Sequence, residues 1–542
     1  VNPLLIAIDA KFIHTNNAVR LLKANSAFDV DIAEFTIKDS LTKIVDTIKA
    51  KNPLFVGFST YIWNVEIVRK LIKKVKEECS LPVVLGGPEV SYEPFHFLET
   101  TEADLVVKGE GEHVFDDVIL HFLEGKDLTE TSNIATKTPS RINTPIEEIQ
   151  DLSNLKLPHF FKSDLANLPH KIQYLETSRG CPYRCSYCLS SLEKTVRHFD
   201  IKPLKDAISH LLDNGATTFK FLDRTFNVSK HALPIIDFIV QAHTPGSVFQ
   251  FEMTGDTLNE ELINHIHATA PKNLFRFEIG IQSTNEITNR LVNRFQDNAR
   301  LFRIIRKIQE NGVIDLHLDL IAGLPKENLA RFKRTFNEVF ALGAKELQLG
   351  FLKFLRGTKI RKEASRYQYK FQSHAPYEIL ESEDLSAEDI RRMKRVETAL
   401  ELFHNKGYFG DTLYTIFKGH YVEYFTLFER IYQRYTERNL PLKGYQLHTL
   451  YAFIEQFLRE EGVMQDRLDE LKHTYLSKHK VKPKCYFEKI EDKKLKHHLF
   501  TNLHSRTDIP VHTFFKHAIV TPYKKRYLVA LYQNHEAQLF KA

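Results

Sequence analysis

Short apolar runs alternate with segments of helical periodicity along the first quarter of the chain. Strand-like runs fall at 4–8, 30–35, 54–58, 82–85 and 105–107. Between them Val65, Val68, Leu71, Ile72 and Val75 recur three and four residues apart, as do Val114, Phe115, Val118, Ile119 and Phe122. That spacing puts an apolar stripe on one face of a helix. Five strands with intervening helices predict an α/β domain over 1–130, built on a flavodoxin-like, doubly wound parallel sheet. Residues 131–171 follow, rich in Ser, Thr, Asn and Pro toward their start, and read as a linker.

From Ile172 a second alternating pattern begins. Phe249–Glu252, Phe275–Glu278 and Leu316–Asp319 share one local repeat, each followed by a helix-like segment. With the runs at 172–176, 219–223, 313–321 and 347–352 they make roughly six βα units over 172–370. If the aromatic and leucine positions face outer helices, a period of two turns Gln250, Glu252, Arg276, Glu278, Gln282, His317, Asp319 and Gln348 inward. A closed barrel core is filled by Val, Ile and Leu, so a lumen this polar predicts an open channel for a charged ligand. The competing reading is that these charges pair with one another. Residues 371–542 turn mainly helical and aromatic. Tyr421, Tyr424, Phe425 and Phe428 share a face that Tyr432 and Tyr435 continue, a stripe best read as core packing. Runs at 517–522 and 526–533 predict a terminal hairpin.

In doubly wound sheets ligands sit beyond the carboxyl ends of the strands. The unusual residues of the first domain lie there: Asp9 to His14, Ser59-Thr60-Tyr61, Gly86-Gly87-Pro88-Glu89 and Gly109-Glu110-Gly111-Glu112. Glycines at strand ends allow close backbone approach to a ligand, and also simply make turns. The first strand is followed by Asp9-Ala10-Lys11, so the G-x-G-x-x-G dinucleotide fingerprint is missing.

Composition narrows the class. The chain of 542 residues is 43% hydrophobic and carries a net charge of +6, which reads as thinly spread. No Lys/Arg block with interleaved aromatics argues for nucleic acid, and no apolar run reaches membrane-spanning length. Five cysteines do not make a disulfide framework, and a reducing cytoplasm is expected. Cys79 falls on a predicted helix, and Cys485 reads as an ordinary thiol.

The other three cysteines stand together as Cys181-x3-Cys185-x2-Cys188, directly after the first strand of the second domain. Three thiolates within eight residues can converge on one soft metal centre. Structural zinc wants four ligands, and no fourth Cys or His stands at finger spacing. A four-iron cubane held by three cysteines keeps one iron open to a substrate or cofactor. A chance grouping, a redox pair and a degenerate zinc loop are the other readings.

This trio, with Tyr187 before the last cysteine, resembles the cluster loop of the radical S-adenosylmethionine (SAM) superfamily. The resemblance implies a partial (βα)6 barrel and a [4Fe-4S] cluster. It also implies SAM bound through its amino and carboxylate groups and cleaved to a 5′-deoxyadenosyl radical, the hard chemistry belonging to the cofactors. By the same resemblance Tyr187, Asp223, Glu252, Glu278, Gln282, Ser283 and Asp319 fall where SAM is contacted. The usual second-strand glycine-glycine-glutamate form is absent, and no residue is singled out as catalytic. The glycine turns of the first domain resemble the cobalamin-binding domain of one branch of the superfamily. That implies cobalamin contacts from His14, Ser59, Thr60, Tyr61, Gly86, Gly87, Pro88, Glu89, Gly109, Glu110, Gly111 and Glu112. Asp9-x4-His14 does not fit the D-x-H-x-x-G motif that supplies a cobalt ligand, so His14 is not assigned one.

The family so implied is an anaerobic, cytoplasmic enzyme that methylates an unactivated carbon of a small molecule or peptide. It would draw electrons from a flavodoxin- or ferredoxin-type donor and need neither nucleic acid nor membrane. The alternatives are a non-methylating cyclisation or rearrangement, and a non-catalytic cobalamin carrier or sensor. A methylthiotransferase needs N-terminal cysteines for a second cluster, and only Cys79 is there.

Overall fold

The computed structural model describes residues 1–137, 140–193 and 195–542. These form two compact units, one of Val1–Arg331 with Leu349–Ile390 and the other of Phe332–Gln348 with Arg391–Ala542. The division differs from the expected domain boundaries. The first unit holds both α/β domains except 332–348, most of a barrel helix and the start of the last barrel strand, which fall in the second.

The first sheet contains β1 (Leu4–Asp9), β2 (Asp31–Thr36), β3 (Val56–Ser59), β4 (Val83–Gly86) and β5 (Leu105–Val107). The order β2-β1-β3-β4-β5 is all parallel, the doubly wound topology read from the periodicity. Strand β1 shows why two layers of helix are needed. Leu4, Ile6 and Ile8 enter one core, and Leu5 and Ala7 enter the other, because successive side chains leave opposite faces. The helix Val65–Cys79 buries Val65, Val68, Leu71, Ile72 and Val75. Two further strands, β6 (Ile134–Thr136) and β7 (Ile142–Asn143), add to the far edge antiparallel. They come from the segment expected to be a linker. Their apolar runs are too short to stand out from a Ser/Thr-rich context.

The second sheet runs in chain order. Its strands are β8 (Ile172–Leu175), β11 (Thr218–Phe221), β12 (Val248–Met253), β13 (Phe275–Gln282), β14 (Asp315–Ala322) and β15 (Glu346–Phe351). Between β8 and β11 a two-stranded antiparallel ladder, β9 (Ser178–Arg179) with β10 (Arg197–His198), brackets the cysteine loop. Alternation along β13 is strict: Phe275, Phe277, Ile279 and Ile281 are fully buried, and Arg276, Glu278, Gly280 and Gln282 are not. The buried rings form a ladder across the outer face, with Phe219 stacked on Phe249 at 4.3 Å and Phe221 on Phe251 at 4.5 Å. The chain then makes a small antiparallel pair, β16 (Lys370–Phe371) and β17 (Ile379–Glu381), still within the first unit.

The second unit is mainly helical. Tyr424, Phe425, Phe428 and Tyr435 are buried, and Phe425 and Phe428 pack edge-on against Phe336 and Phe340. The aromatic stripe is core. The expected hairpin is β18 (Ala518–Tyr523) with β19 (Arg526–Gln533), and a third strand, β20 (Glu536–Lys541), completes the sheet.

Phe251 sits at the centre of the ring ladder, fully buried against Phe221, Phe226 and Phe277. Phe251→Ala is expected to cost about 3–5 kcal/mol through the cavity it leaves. Chemical denaturation should show a lowered midpoint, and an unchanged one would mean that the ladder does not hold the barrel sheet.

Candidate active site

At the carboxyl edge of the first sheet the turns are knotted together by asparagines. Asn64 donates to Ile8 O (3.0 Å) and Ser59 O (2.9 Å) and accepts from Tyr61 N (2.8 Å). Asn16 donates to Ser59 Oγ at 3.2 Å. Thr60 N donates to Gly86 O at 2.7 Å. Gly87 has φ +106°, and a Cβ there would lie 2.5 Å from Thr60 O, so only glycine lets these turns cross. Burial raises the Asp9 carboxyl to about 6. The surface left open is aromatic: Trp63, the only tryptophan, is 44% exposed and stacks on Tyr61 at 4.3 Å. The sequence reading missed Asn16, Asn64 and Trp63. Asn64 carries a signal, an asparagine just before an amphipathic helix.

Several residues expected at cobalamin instead face the barrel. His14 Nδ1 and the Tyr174 hydroxyl of β8 share a 2.7 Å hydrogen bond. Glu110 and Glu112 pair with Arg179, two residues before the first cysteine, at 3.0 and 2.7 Å, and Glu176 joins them at 3.2 Å. Glu110 also pairs with Arg197 at 2.7 Å. Burial opposes the charge on Glu110, but Arg197 and Arg179 hold its carboxyl below the ordinary range. Glu89 is buried, pairs with Arg356 at 3.0 Å and accepts from the Tyr377 hydroxyl. Gly86, Gly109, Gly111 and Pro88 remain at the turns as backbone surface.

The cysteine loop leaves β9 through Gly180, φ +90°, where a Cβ would meet Thr195 O at 2.0 Å. Cys181 and Cys185 are buried and Cys188 half-buried, and all three are free thiols. Ser186 clamps the loop from both sides, its N–H donating to Val292 O and its carbonyl accepting from Ile360 N, each at 2.9 Å. The Arg294 guanidinium lies 4.0 Å from Cys185 Sγ and also donates to Gly280 O. Burial pushes the Cys181 thiol up. Tyr187 lies within the same loop, its phenol likewise raised by burial. Among the described residues no three Cys, His, Asp or Glu side chains converge as ligands of a single ion. A cubane spreads its thiolates over separate irons, so a cluster loop need not converge that tightly. Three free thiols with a fixed cation beside them fit a cluster.

Asp223 lies beneath this loop. Its buried carboxyl accepts from Thr177 N (2.8 Å), Thr177 Oγ1 (2.5 Å) and Ser178 Oγ (2.6 Å). Those bonds and its burial turn it to the strand entering the loop. Ser283 is likewise fully buried and donates to Glu327 at 2.7 Å. Gln282 adopts a left-handed φ of +66° at the end of β13.

The inward row is charged and connected. Lys220, which the sequence reading missed, lies 3.1 Å from Glu278 and 3.7 Å from Glu252. Arg224 reaches Glu252 at 3.3 Å, and Gln250 donates to Glu278 at 2.7 Å. Burial works against the Glu278 carboxylate, but Lys220 and His317 hold it below its usual range. Arg276 Nη2 lies 2.9 Å from His317 Nδ1. A guanidinium only donates, so Nδ1 accepts and Nε2 carries the proton; Nε2 lies 2.9 Å from Asp319 Oδ1 without the alignment of a hydrogen bond. Burial raises the Asp319 carboxyl, and His317 partly offsets it.

This geometry sets a parallel βα sheet, with a cysteine trio after its first strand, against an α/β domain held on that loop. Sequence models of known families match in the same order: the B12 binding domain over 4–119, the Radical SAM superfamily over 175–339, and a protein family of unknown function, DUF4080, over 365–528. The chain thus carries a B12-binding domain followed by a radical SAM domain. It is 28% identical over 219 residues to an uncharacterized methyltransferase, PH0819, of Pyrococcus horikoshii, covering 37% of this chain and 46% of that one. It is 24% identical over 311 residues to the cobalamin-dependent radical SAM methyltransferase TokK of Streptomyces tokunonensis, covering 54% and 46%. The chain thus spans about half the length of these relatives. The structure of the cobalamin-dependent SAM radical enzyme OxsB superposes with a TM-score of 0.62 at 13% identity, over 88% of this chain and 84% of that one. At that identity the likeness is one of fold.

Arg179→Ala would leave Glu110, Glu112 and Glu176 without their shared cation, at a cost of about 3–5 kcal/mol. Hydrogen exchange should rise together at 109–112 and 178–188, and a rise on one side alone would show that Arg179 does not couple them. Asp223 supplies a second prediction. Burial raises its folded carboxyl to about 6, above the unfolded value, so the folded state binds the proton more tightly. Its contribution to stability is therefore full at low pH and lost as pH rises from about 4 through about 6. Asp223→Asn should flatten this part of the Tm-against-pH curve, and parallel curves for the two proteins would contradict it.

Proposed function

We propose that this chain holds a [4Fe-4S] cluster on Cys181, Cys185 and Cys188 and uses it with SAM and cobalamin to methylate an unactivated carbon. The observation that carries the reading is one juxtaposition. A trio of free thiols stands beside a charged barrel lumen, and Arg179 and Arg197 bridge that loop to the glycine turns of the B12-binding domain. When bound, SAM on the cluster supplies the 5′-deoxyadenosyl radical and cobalamin supplies the methyl group.

The protein's own part is to bind, orient and keep water out. Arg294 offsets thiolate charge at Cys185. Lys220, Glu252, Glu278 and Asp319 offer both signs of charge to the amino and carboxylate ends of SAM, with Tyr187 and Gln282 at the rim. Asp223 holds the strand that enters the cysteine loop through Thr177 and Ser178, and Ser283 holds Glu327. Tyr61, Gly86, Gly87, Pro88, Gly109 and Gly111 form the surface for the corrin and its tail, with the buried Ser59 and Thr60 behind them. Glu89, Glu110, Glu112 and His14 hold that surface to the barrel. His317, with Nδ1 facing Arg276, places Nε2 beside Asp319. The substrate is a small molecule or peptide. A flavodoxin- or ferredoxin-type donor supplies electrons, and the enzyme works without oxygen in the cytoplasm.

Anaerobic reconstitution with iron, sulfide and hydroxocobalamin tests the assignment. The expected result is four irons per chain, bound cobalamin and reductive cleavage of SAM. Methyl transfer gives S-adenosylhomocysteine alongside 5′-deoxyadenosine, whereas 5′-deoxyadenosine alone would mean a non-methylating reaction. Cys185→Ala should abolish the cluster absorbance and leave cobalamin uptake intact. Zinc in place of iron at the loop would overturn the reading.

A further inference from the structure

The net charge of the chain is unevenly placed, and its thin average hides this. Residues 478–542 hold 14 Lys and Arg against 5 Asp and Glu, a net +9 where the whole chain is +6. The rest of the chain is therefore slightly acidic, and the excess lies entirely in one folded module of the second unit.

That module is a three-stranded sheet, β18 to β20, with the helices Lys493–Thr507 and Val511–His517. Its core takes Leu499, Phe500 and Leu503 from the first helix and packs them on Phe514, Val520, Val529 and Leu531. The apolar face of the helix is thus turned inward, and Lys493, Lys494, His497, His498 and His504 are exposed. Folding brings further cations beside them. Lys482 Nζ donates to Lys516 O at 3.0 Å, which ties the loop around 480–484 to the second helix. The Lys482 ammonium is held below its ordinary pKa, by burial first and then by Lys496 and Lys489. Glu491 is the carboxylate that faces this group, 2.8 Å from Lys496 and 3.9 Å from Lys489. Lys480, Lys484, Lys493, Lys494, Lys516 and Arg506 make no ion pair among the described residues.

Drawing like charges together without counter-ions costs free energy that an anionic partner would recover. Three classes of partner could do so, and the surface discriminates among them. Protein interfaces are depleted in Lys and rich in aromatics at their centre. Here lysine dominates, and Phe515, beside His497, is the module's one markedly exposed aromatic. Insertion at a lipid surface needs an outward apolar stripe, and the helix spends its stripe on the core. A phosphodiester backbone needs only spaced cations, from which it releases counter-ions, and a ring such as Phe515 serves for stacking a base. We propose that the 478–542 module binds the backbone of a single-stranded nucleic acid.

Fluorescence anisotropy of the full chain with labelled 20-nucleotide single strands, RNA and DNA in separate arms, tests this. Affinity should fall about 10- to 100-fold between 50 and 200 mM salt, as neutralising three or four phosphates predicts. The triple substitution K493Q/K494Q/K516Q should weaken binding about tenfold and flatten the salt slope by about two. K493R/K494R/K516R should restore both. K38Q/K70Q/K272Q, which removes exposed lysines of the first unit, should leave both unchanged. The RNA and DNA arms identify which strand is preferred, and tight binding of either supports the proposal. Absence of binding at 50 mM salt would overturn it. So would equal loss in the first-unit triple variant, displacement by polyglutamate at equal charge, or tighter binding to phosphatidylserine vesicles.

Discussion

The guanidinium of Arg179 is the contact on which the active-site region depends. It is shared by Glu110 and Glu112 of the B12-binding domain and by Glu176 of the barrel, with about a tenth of its side chain exposed. Arg197, the partner of Arg179 across the β9–β10 ladder, takes Glu110 as well. A buried ion pair of this kind adds little net stability, because desolvation offsets most of the attraction. Its value is positional. Removing either side strands charge in a medium that cannot solvate it, so the turn at 109–112 and the loop at 181–188 hold one relative placement. The carboxylates outnumber the arginines, and the surplus shows at Glu193, whose carboxyl burial raises above the ordinary range.

The lumen follows the same rule with a different result. Lys220 and Arg276 face Glu252, Glu278 and Asp319, so both signs are present and already engaged with one another. The two sequence-level readings, a ligand channel or internal pairing, are therefore not exclusive. Half-exposed charges paired at 3 to 4 Å can exchange a partner for a ligand group of the same sign, because water screens part of each pair already. His317 lies deeper, and its tautomer is set by donor chemistry: Arg276 leaves the imidazole proton on Nε2.

Periodicity made most of this architecture legible. The five parallel strands and the polar-inward row follow from spacing alone, since burial on one face imposes a period of two or of 3.6. The cysteine trio was legible because nothing else in the chain competes for that spacing. What was hidden depends on contacts between stretches far apart in sequence. Glu89, Glu110 and Glu112 look like ligand-edge residues because they follow glycines, and only Arg179, Arg197 and Arg356, some 70 to 270 residues away, show where they are committed. Asp223 matched a family position, but its neighbours Thr177 and Ser178 occupy its oxygens. Lys220 sits between two phenylalanines and reads as an ordinary outlier in an apolar strand. β6 and β7 were missed because runs of three and two residues are too short to show a pattern, and β20 because an edge strand with little burial leaves little of one.

The attachment of the two α/β domains bears on what the pair can do. The glycine turn at 86–89 is held by the segment after β15, through Arg356 and Tyr377 to Glu89 and through Arg361 to Glu93. The turn at 109–112 is held by the strand that opens the barrel loop. His14 meets Tyr174, and Arg20 joins Glu34 to Asp164. One bridge would leave a hinge, whereas several from separate stretches of chain leave none. On the proposed function, a radical source and a methyl carrier that must reach the same carbon would gain from such rigidity, since misplacement of about 1 Å costs orders of magnitude in rate. The cost is that little room remains for rearrangement within this unit, so the energy for positioning is committed when the chain folds and not when the substrate arrives.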